Sequence, residues 1–250
     1  MTDFGWVPRA VEQGSSIRGS CSFVGGSSAR GWANPGSDVD VYVFGCPEDR
    51  AEIVLGTDGH PNVDVHALSD AKIESLFARI SWDIVTSGKE FVDTFVESDW
   101  LMFERVHHAH VLTGHKLLAQ YQERLARSAH RYMLVQEHFA YADARAEDCL
   151  GQLAAGDVDS AVLSGQTTFF RAVDGLLAAH GCYAASPKWR ARAMQDAAPD
   201  LVSYDAFWKV VTMAELPFLG REAWSRQRVV EARDIMSRVD VLELTRVVDG

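Results

Sequence analysis

The sequence predicts an α+β half over residues 1–118, followed by an all-α helical bundle over residues 119–250. Three observations predict it. In the first half, short apolar runs alternate with turns rich in Gly, Pro and Asp. In the second half, long stretches are nearly free of Gly and Pro. There the apolar residues recur at three and four, the spacing of one helix face.

The elements follow in order. Residues 20–25 form a short apolar run that enters a Gly/Ser cluster. Residues 38–44 alternate, with Val39, Tyr42 and Phe44 among the strand formers. Residues 52–55 and 62–68 flank Thr57-Asp58-Gly59-His60, whose Asp-Gly step signals a hairpin. Ser69 is an N-cap for a helix over 70–80, with Ile73, Leu76, Phe77 and Ile80 at helical spacing. Residues 106–112 read as one more strand before Gly114. A long helix is predicted over 116–155, ending near Gly156, and another over 159–180, stopped by Gly181. Ser186-Pro187 carries the N-cap and first-turn signature of a third. Two more are predicted over 203–215 and 221–238. Amphipathic helices joined by short connections suggest a bundle.

Composition narrows the function classes. With 47% hydrophobic and 24% charged residues, the chain can bury a core without staples. Its four cysteines, Cys21, Cys46, Cys149 and Cys182, lie far apart, so neither a disulfide framework nor a zinc site is expected. Reduced thiols fit a cytoplasmic location. No signal peptide is expected, because no basic opening precedes an apolar run. No stretch of eighteen apolar residues suggests a membrane partner. Residues 1–118 hold 9 basic against 17 acidic residues, and 119–250 hold 15 against 18. That balance disfavours long nucleic acid, which needs a basic track.

The chemistry is carried by Val24-Gly25-Gly26-Ser27-Ser28-Ala29-Arg30-Gly31-Trp32-Ala33-Asn34-Pro35-Gly36-Ser37-Asp38-Val39-Asp40. A strand runs into Gly26-Ser27, where a short helix begins. Glycine lets backbone approach a ligand, and the serine hydroxyl and free N–H groups suit phosphate oxygens. Pro35-Gly36 turns the chain back. The next strand brings Asp38 and Asp40 to one face, because strand side chains alternate with period two. Two carboxylates on one face repel unless cations sit between them, and Mg²⁺ takes hard oxygen donors and phosphates. Asp64, flanked by Val63 and Val65, is the candidate third carboxylate, since an unpaired charge in mid-strand is costly.

This ordered string resembles the DNA polymerase β-like nucleotidyltransferase superfamily. The carriers are Gly26-Ser27, Ala29-Arg30-Gly31, Ser37-Asp38-Val39-Asp40 and Asp64, within residues 20–68. The helical second half looks like the carboxy-terminal domain of small antibiotic-modifying members such as aminoglycoside nucleotidyltransferases, on size and architecture. The resemblance implies a mixed-sheet nucleotidyltransferase domain over 1–118 and an acceptor-binding helical bundle over 119–250. It implies transfer of a nucleotide, AMP from ATP in the first instance, to a hydroxyl of a small-molecule acceptor, with release of pyrophosphate. Asp38 and Asp40 would bridge two Mg²⁺ ions and Asp64 would hold the catalytic one. Gly26 and Ser27 would cradle the β- and γ-phosphates, with Arg30, Ser37 and Lys188 as further nucleotide contacts.

Several residues keep two readings. Arg30 reads as a helix-surface ion-pair partner or as a phosphate ligand. Lys188 reads as solvated or as neutralising the triphosphate. The general base is Asp64 or a glutamate such as Glu137, which otherwise reads as an exposed helix residue. His66 shares the face of Asp64 and either lines the site or supports it. His107, His108 and His110 read as surface or core histidines rather than as a metal site. Arg171 and Asp174 read as an i,i+3 ion pair or as acceptor contacts. An antitoxin-type protein nucleotidyltransferase and a non-catalytic nucleotide-binding regulator are the rival functions.

Overall fold

The computed structural model describes residues 3–57, 59–88, 95–183 and 186–240. The chain divides into two compact units, Met1–Thr86 with Val96–Ser128, and Ser87–Phe95 with Ala129–Gly250. The division falls after Ser128 rather than at 118.

The first unit is built on a five-stranded sheet. Its strands are β1 (Cys21–Val24), β2 (Val39–Cys46), β3 (Arg50–Val54), β4 (Val63–Ser69) and β5 (His110–Thr113), in the order β3-β4-β2-β1-β5. β2 and β4 are parallel, and every other neighbouring pair is antiparallel. The sheet is therefore mixed, as the sequence predicts. β3 and β4 are the two arms of the expected hairpin, although Asp58 of its turn lies outside the described residues.

Period-two alternation gives the sheet two different faces. Val39, Val41, Val43, Val63, Val65 and Ala67 point to one face and form a core with Phe4 and Val7. Val7 belongs to α1 (Val7–Gly14), a helix the sequence reading does not contain. On the opposite face, one end is aromatic. Phe44 meets Tyr121 at 5.4 Å between ring centroids, Tyr121 meets Phe77 at 5.7 Å, and Phe77 meets Phe103 at 5.8 Å. Phe44 belongs to β2, and the other three rings come from α3 (Asp70–Arg79), α5 (Glu97–His107) and α6 (His115–Arg127), while α4 (Trp82–Thr86) lies between α3 and α5 in the chain. Ser69 caps α3 as expected, its hydroxyl accepting from Lys72 N–H at 3.3 Å. The other end of this face stays half open, at Asp40, Asp64 and His66.

Two sequence expectations need correction here. Residues 106–107 close α5, so the strand expected over 106–112 is only His110–Thr113. The helix expected over 116–155 is two helices, α6 and α7 (His130–Ala154). Ser128 ends α6 in an extended conformation, and its N–H and hydroxyl both turn back to Leu125 O, at 3.1 and 2.7 Å. Helix α6 packs on α5, β1 and β5, which is why it belongs to the first unit.

The second unit is helical. α7 packs along α8 (Val158–Ala179), and α8 packs along α12 (Arg221–Arg238). Gly175 lets α8 approach α7 closely, since a Cβ there would collide with the Phe139 ring. Asp157 caps α8 by accepting from Ser160 N–H at 3.2 Å. Pro187–Trp189 is a 3-10 turn that leads into α9 (Arg190–Ala197). The helix expected over 203–215 stops earlier, as α10 (Tyr204–Val211), and the four-residue α11 (Leu216–Leu219) precedes α12. Asp174 does not pair with Arg171. It accepts from Arg190 Nε and Nη2 at 2.6 and 2.8 Å, and Arg171 lies over the Tyr141 ring at 4.6 Å.

Candidate active site

The open end of the sheet face collects the carboxylates. Asp40 and Asp64 are direct Cα partners in the parallel β2–β4 pair, so their side chains stand next to each other. Asp38 is exposed and lies one residue ahead of β2 rather than inside it. Its charge is nevertheless felt at Asp64. Burial first, and then the charges of Asp38 and Asp40, raise the Asp64 carboxyl above its ordinary value, with His66 opposing. The structure thus sets Asp40 beside Asp64, with the exposed Asp38 just ahead of β2. Among the described residues, no three such side chains are gathered into a preformed metal cage. The donor chemistry still fits a hard divalent cation: two adjacent carboxylates, Asp40 and Asp64, with a third, Asp38, at the entrance to β2.

Gly25 and Gly26 bring the loop after β1 against these residues. Gly25 N–H donates to Asp40 O at 2.9 Å, which extends the β1–β2 pairing by one step. Gly26 has φ +61°, and a Cβ on it would collide with Asp40 Oδ2. Both facts demand glycine at 26. α2 (Gly26–Ala29) follows, with Gly25 as its N-cap and no side-chain cap. Ser27 is half-buried, and its carbonyl accepts from Trp32 N–H at 2.8 Å and Ala33 N–H at 3.2 Å. Ser37 closes the turn that leads into β2, its N–H donating to Asn34 O at 2.9 Å and its hydroxyl accepting from Asn34 N–H at 3.0 Å.

Around the carboxylates stands a row of polar rings. His66 Nε2 is 3.8 Å from Asp40 Oδ1, and the His66 ring stacks on Tyr42 at 4.9 Å. Tyr42 is buried, and its hydroxyl is pushed well above the ordinary phenol range. Burial dominates, Asp40 and Asp64 add to it, and Arg105 opposes. The Arg105 guanidinium lies 5.0 Å from the centre of the Tyr42 ring. Sequence reasoning passed over Arg105, which no local motif marks.

Arg30 has a different setting. Its Nη1 donates to Glu104 Oε1 at 2.7 Å, and both side chains are nearly buried. Its guanidinium also stacks 3.3 Å from the centre of Trp32. The ion-pair reading describes what the structure shows for Arg30. His108 lies near this pair and is pushed down to about 3 by burial first, then by Arg30 and His107. Lys188 is exposed on the 3-10 turn of the second unit, 5.4 Å from the Trp189 ring, and Glu137 is half-buried on α7.

Among solved structures, the chain is similar to a nucleotidyltransferase-like protein from Exiguobacterium sibiricum 255-15. The likeness has 12% identity and a TM-score of 0.45, and covers 97% of this chain and 74% of that one. No curated protein matches the chain. A family model described as a nucleotidyltransferase domain matches residues 19–102. Asp38, Asp40 and Asp64, together with Gly26, Ser27, Arg30 and Ser37, all lie within this stretch that matches the nucleotidyltransferase domain.

Proposed function

We propose that the chain transfers a nucleotide, AMP in the first instance, from a nucleoside triphosphate to a hydroxyl of a small-molecule acceptor, releasing pyrophosphate. The observation that carries this reading is the side-by-side placement of Asp40 and Asp64, with the bare Gly26 against Asp40. The match of residues 19–102 to the nucleotidyltransferase domain supports the reaction class. Asp38, Asp40 and Asp64 are the residues that would hold Mg²⁺, two ions in this reading, which supply charge stabilisation to the phosphate oxygens when bound.

The chain's own groups account for the remainder. Backbone N–H groups at Gly26 and Ser27, with the Ser27 hydroxyl, receive the β- and γ-phosphates. The acceptor oxygen attacks the α-phosphorus, and the bond to the bridging oxygen breaks as pyrophosphate leaves. Asp64 takes the acceptor's hydroxyl proton. The acidic excess of residues 1–118 favours a cationic acceptor over nucleic acid. That preference aligns the chain with the small antibiotic-modifying nucleotidyltransferases, and amine-bearing compounds are the first acceptors to try.

The test is a pyrophosphate-release assay with Mg²⁺ and each of the four common triphosphates, over amine-bearing small molecules, proteins and tRNA. ATP-dependent release with a small acceptor is the expected result. Release only with a protein or tRNA would move the acceptor class. Tight nucleotide binding without release on any acceptor would make the chain a nucleotide-binding regulator instead.

A further inference from the structure

The unassigned group nearest this site is Arg105. It follows Glu104 on α5, yet the two side chains have different partners. Glu104 is taken by Arg30, at 2.7 Å. Arg105 makes no ion pair among the described residues, and its Nε is buried without an acceptor there. Its stem runs against the loop after β1, since a Cβ on Gly25 would lie 3.1 Å from Arg105 Cγ and 2.9 Å from the Tyr42 ring. Its guanidinium then lies over Tyr42, two residues along the same strand face from Asp40. A half-buried guanidinium is costly when no anion balances it. A tyrosine face compensates only partly, because the attraction of a ring quadrupole is weaker than that of a full charge.

The position therefore calls for an anion that arrives with the substrate. We propose that Arg105 binds the terminal phosphates of the nucleoside triphosphate, and that it rather than Arg30 is the arginine that serves them. The inference rests on the reading of the carboxylate face as a nucleotidyl-transfer site. Arg30 is already neutralised by Glu104, whereas Arg105 hydrogen-bonds only the neutral Tyr42 side chain and has no counter-charge among the described residues. Arg105 also lies beyond residue 102, where the match to the nucleotidyltransferase domain ends. It is thus a contribution of this chain's α5 and not of the matched motif.

The experiment titrates the full chain, in Mg²⁺, with a non-hydrolysable ATP analogue, with inorganic tripolyphosphate and with AMP. Wild type, Arg105→Gln and Arg105→Lys are compared. Arg105→Gln is expected to weaken the ATP analogue and tripolyphosphate by about 10- to 100-fold, the usual effect of losing a hydrogen bond to a charged group. AMP affinity should stay within about twofold, and Arg105→Lys should recover part of the loss. Equal weakening of AMP and triphosphate, or no weakening of either, would overturn the proposal and leave Arg105 a packing residue. Wild type that binds none of the three probes would overturn the nucleotidyl-transfer reading itself, and this proposal with it. A second measurement needs no variant. Phenylglyoxal should label Arg105 in the wild-type chain, and Mg²⁺-tripolyphosphate should protect it. Undiminished labelling in the presence of bound tripolyphosphate would refute the assignment.

Discussion

Asp40 has more neighbours in the site than its two companions. It is the Cα partner of Asp64, it faces His66, and its Oδ2 occupies the space a side chain at Gly26 would need. Asp40→Asn keeps the shape and removes the charge. Turnover is expected to fall by roughly a thousandfold or more, because several kcal/mol of charge stabilisation go with an anionic metal ligand. The thermal midpoint should stay level or rise slightly, since a repulsion at Asp64 is removed as well. Steady-state kinetics beside a thermal melt separates the two effects, and near-native turnover would refute the assignment. The pairing of Asp40 with Asp64 follows the strand period the sequence shows, whereas Asp38 stands just ahead of β2, where that period does not place it. Arg105 was not legible. Its meaning depends on α5 returning to Gly25, and nothing within a few residues of it encodes that contact. The partner of Arg30 was hidden for the same reason, because Glu104 stands far along the chain.

At the scale of elements, α5 shows both what holds the site and what the sequence obscures. Its buried face carries Trp100, Phe103 and Val106, together with Asp99 and Glu104. Charged residues in a buried stripe blur the apolar period, and the alternation of His107 to Leu112 resembles a strand, so residues 106–112 read as one. The α6–α7 break is equally silent. Ser128 and Ala129 interrupt the helix without Gly or Pro, and what stops it is a serine turning back to Leu125. Strands β2 and β4 were found correctly because each has a valine-rich face of period two that must be buried. The Glu104–Arg30 pair that ties α5 to the loop after β1 has side chains only 10% and 5% exposed. Glu104→Gln leaves the guanidinium buried without its counter-charge. Breaking such a pair on one side is expected to cost about 3–5 kcal/mol. A urea titration of the variant checks this, and a midpoint within error of wild type would show that the pair contributes nothing.

Across the whole molecule, two half-buried histidines contribute to the response to acid. His108 in the first unit is pushed down to about 3, and His138 in the second to about 4, by burial foremost in each case. Both lie below the unfolded value of about 6.5. Between these limits each of these two sites binds more protons in the unfolded chain than in the native one, so their contribution to stability is complete above pH 6.5 and declines as pH falls. Each histidine should remove about 1.4 kcal/mol per pH unit below 6.5, down to its folded value. His108→Leu should flatten that slope by its own share when urea midpoints are followed from pH 7 to 4. An unchanged slope would mean that His108 protonates in place. Among the described residues, no helix is long and apolar enough to cross a membrane.

The parallel pairing of β2 with β4 also sets a timetable for the nascent site. β3 and β4 meet across the short connection 55–62, so their hairpin can close early, at little cost in chain entropy. β2 gains β4 as a neighbour only when that finished hairpin swings round and docks with β3 on the far side. Asp40 and Asp64 become neighbours at this docking step. A docking error of a single residue would turn Asp64 to the valine face, which buries a charge. The wrong register is therefore rejected by its own cost, and the carboxylate pair forms together with the correct strand order.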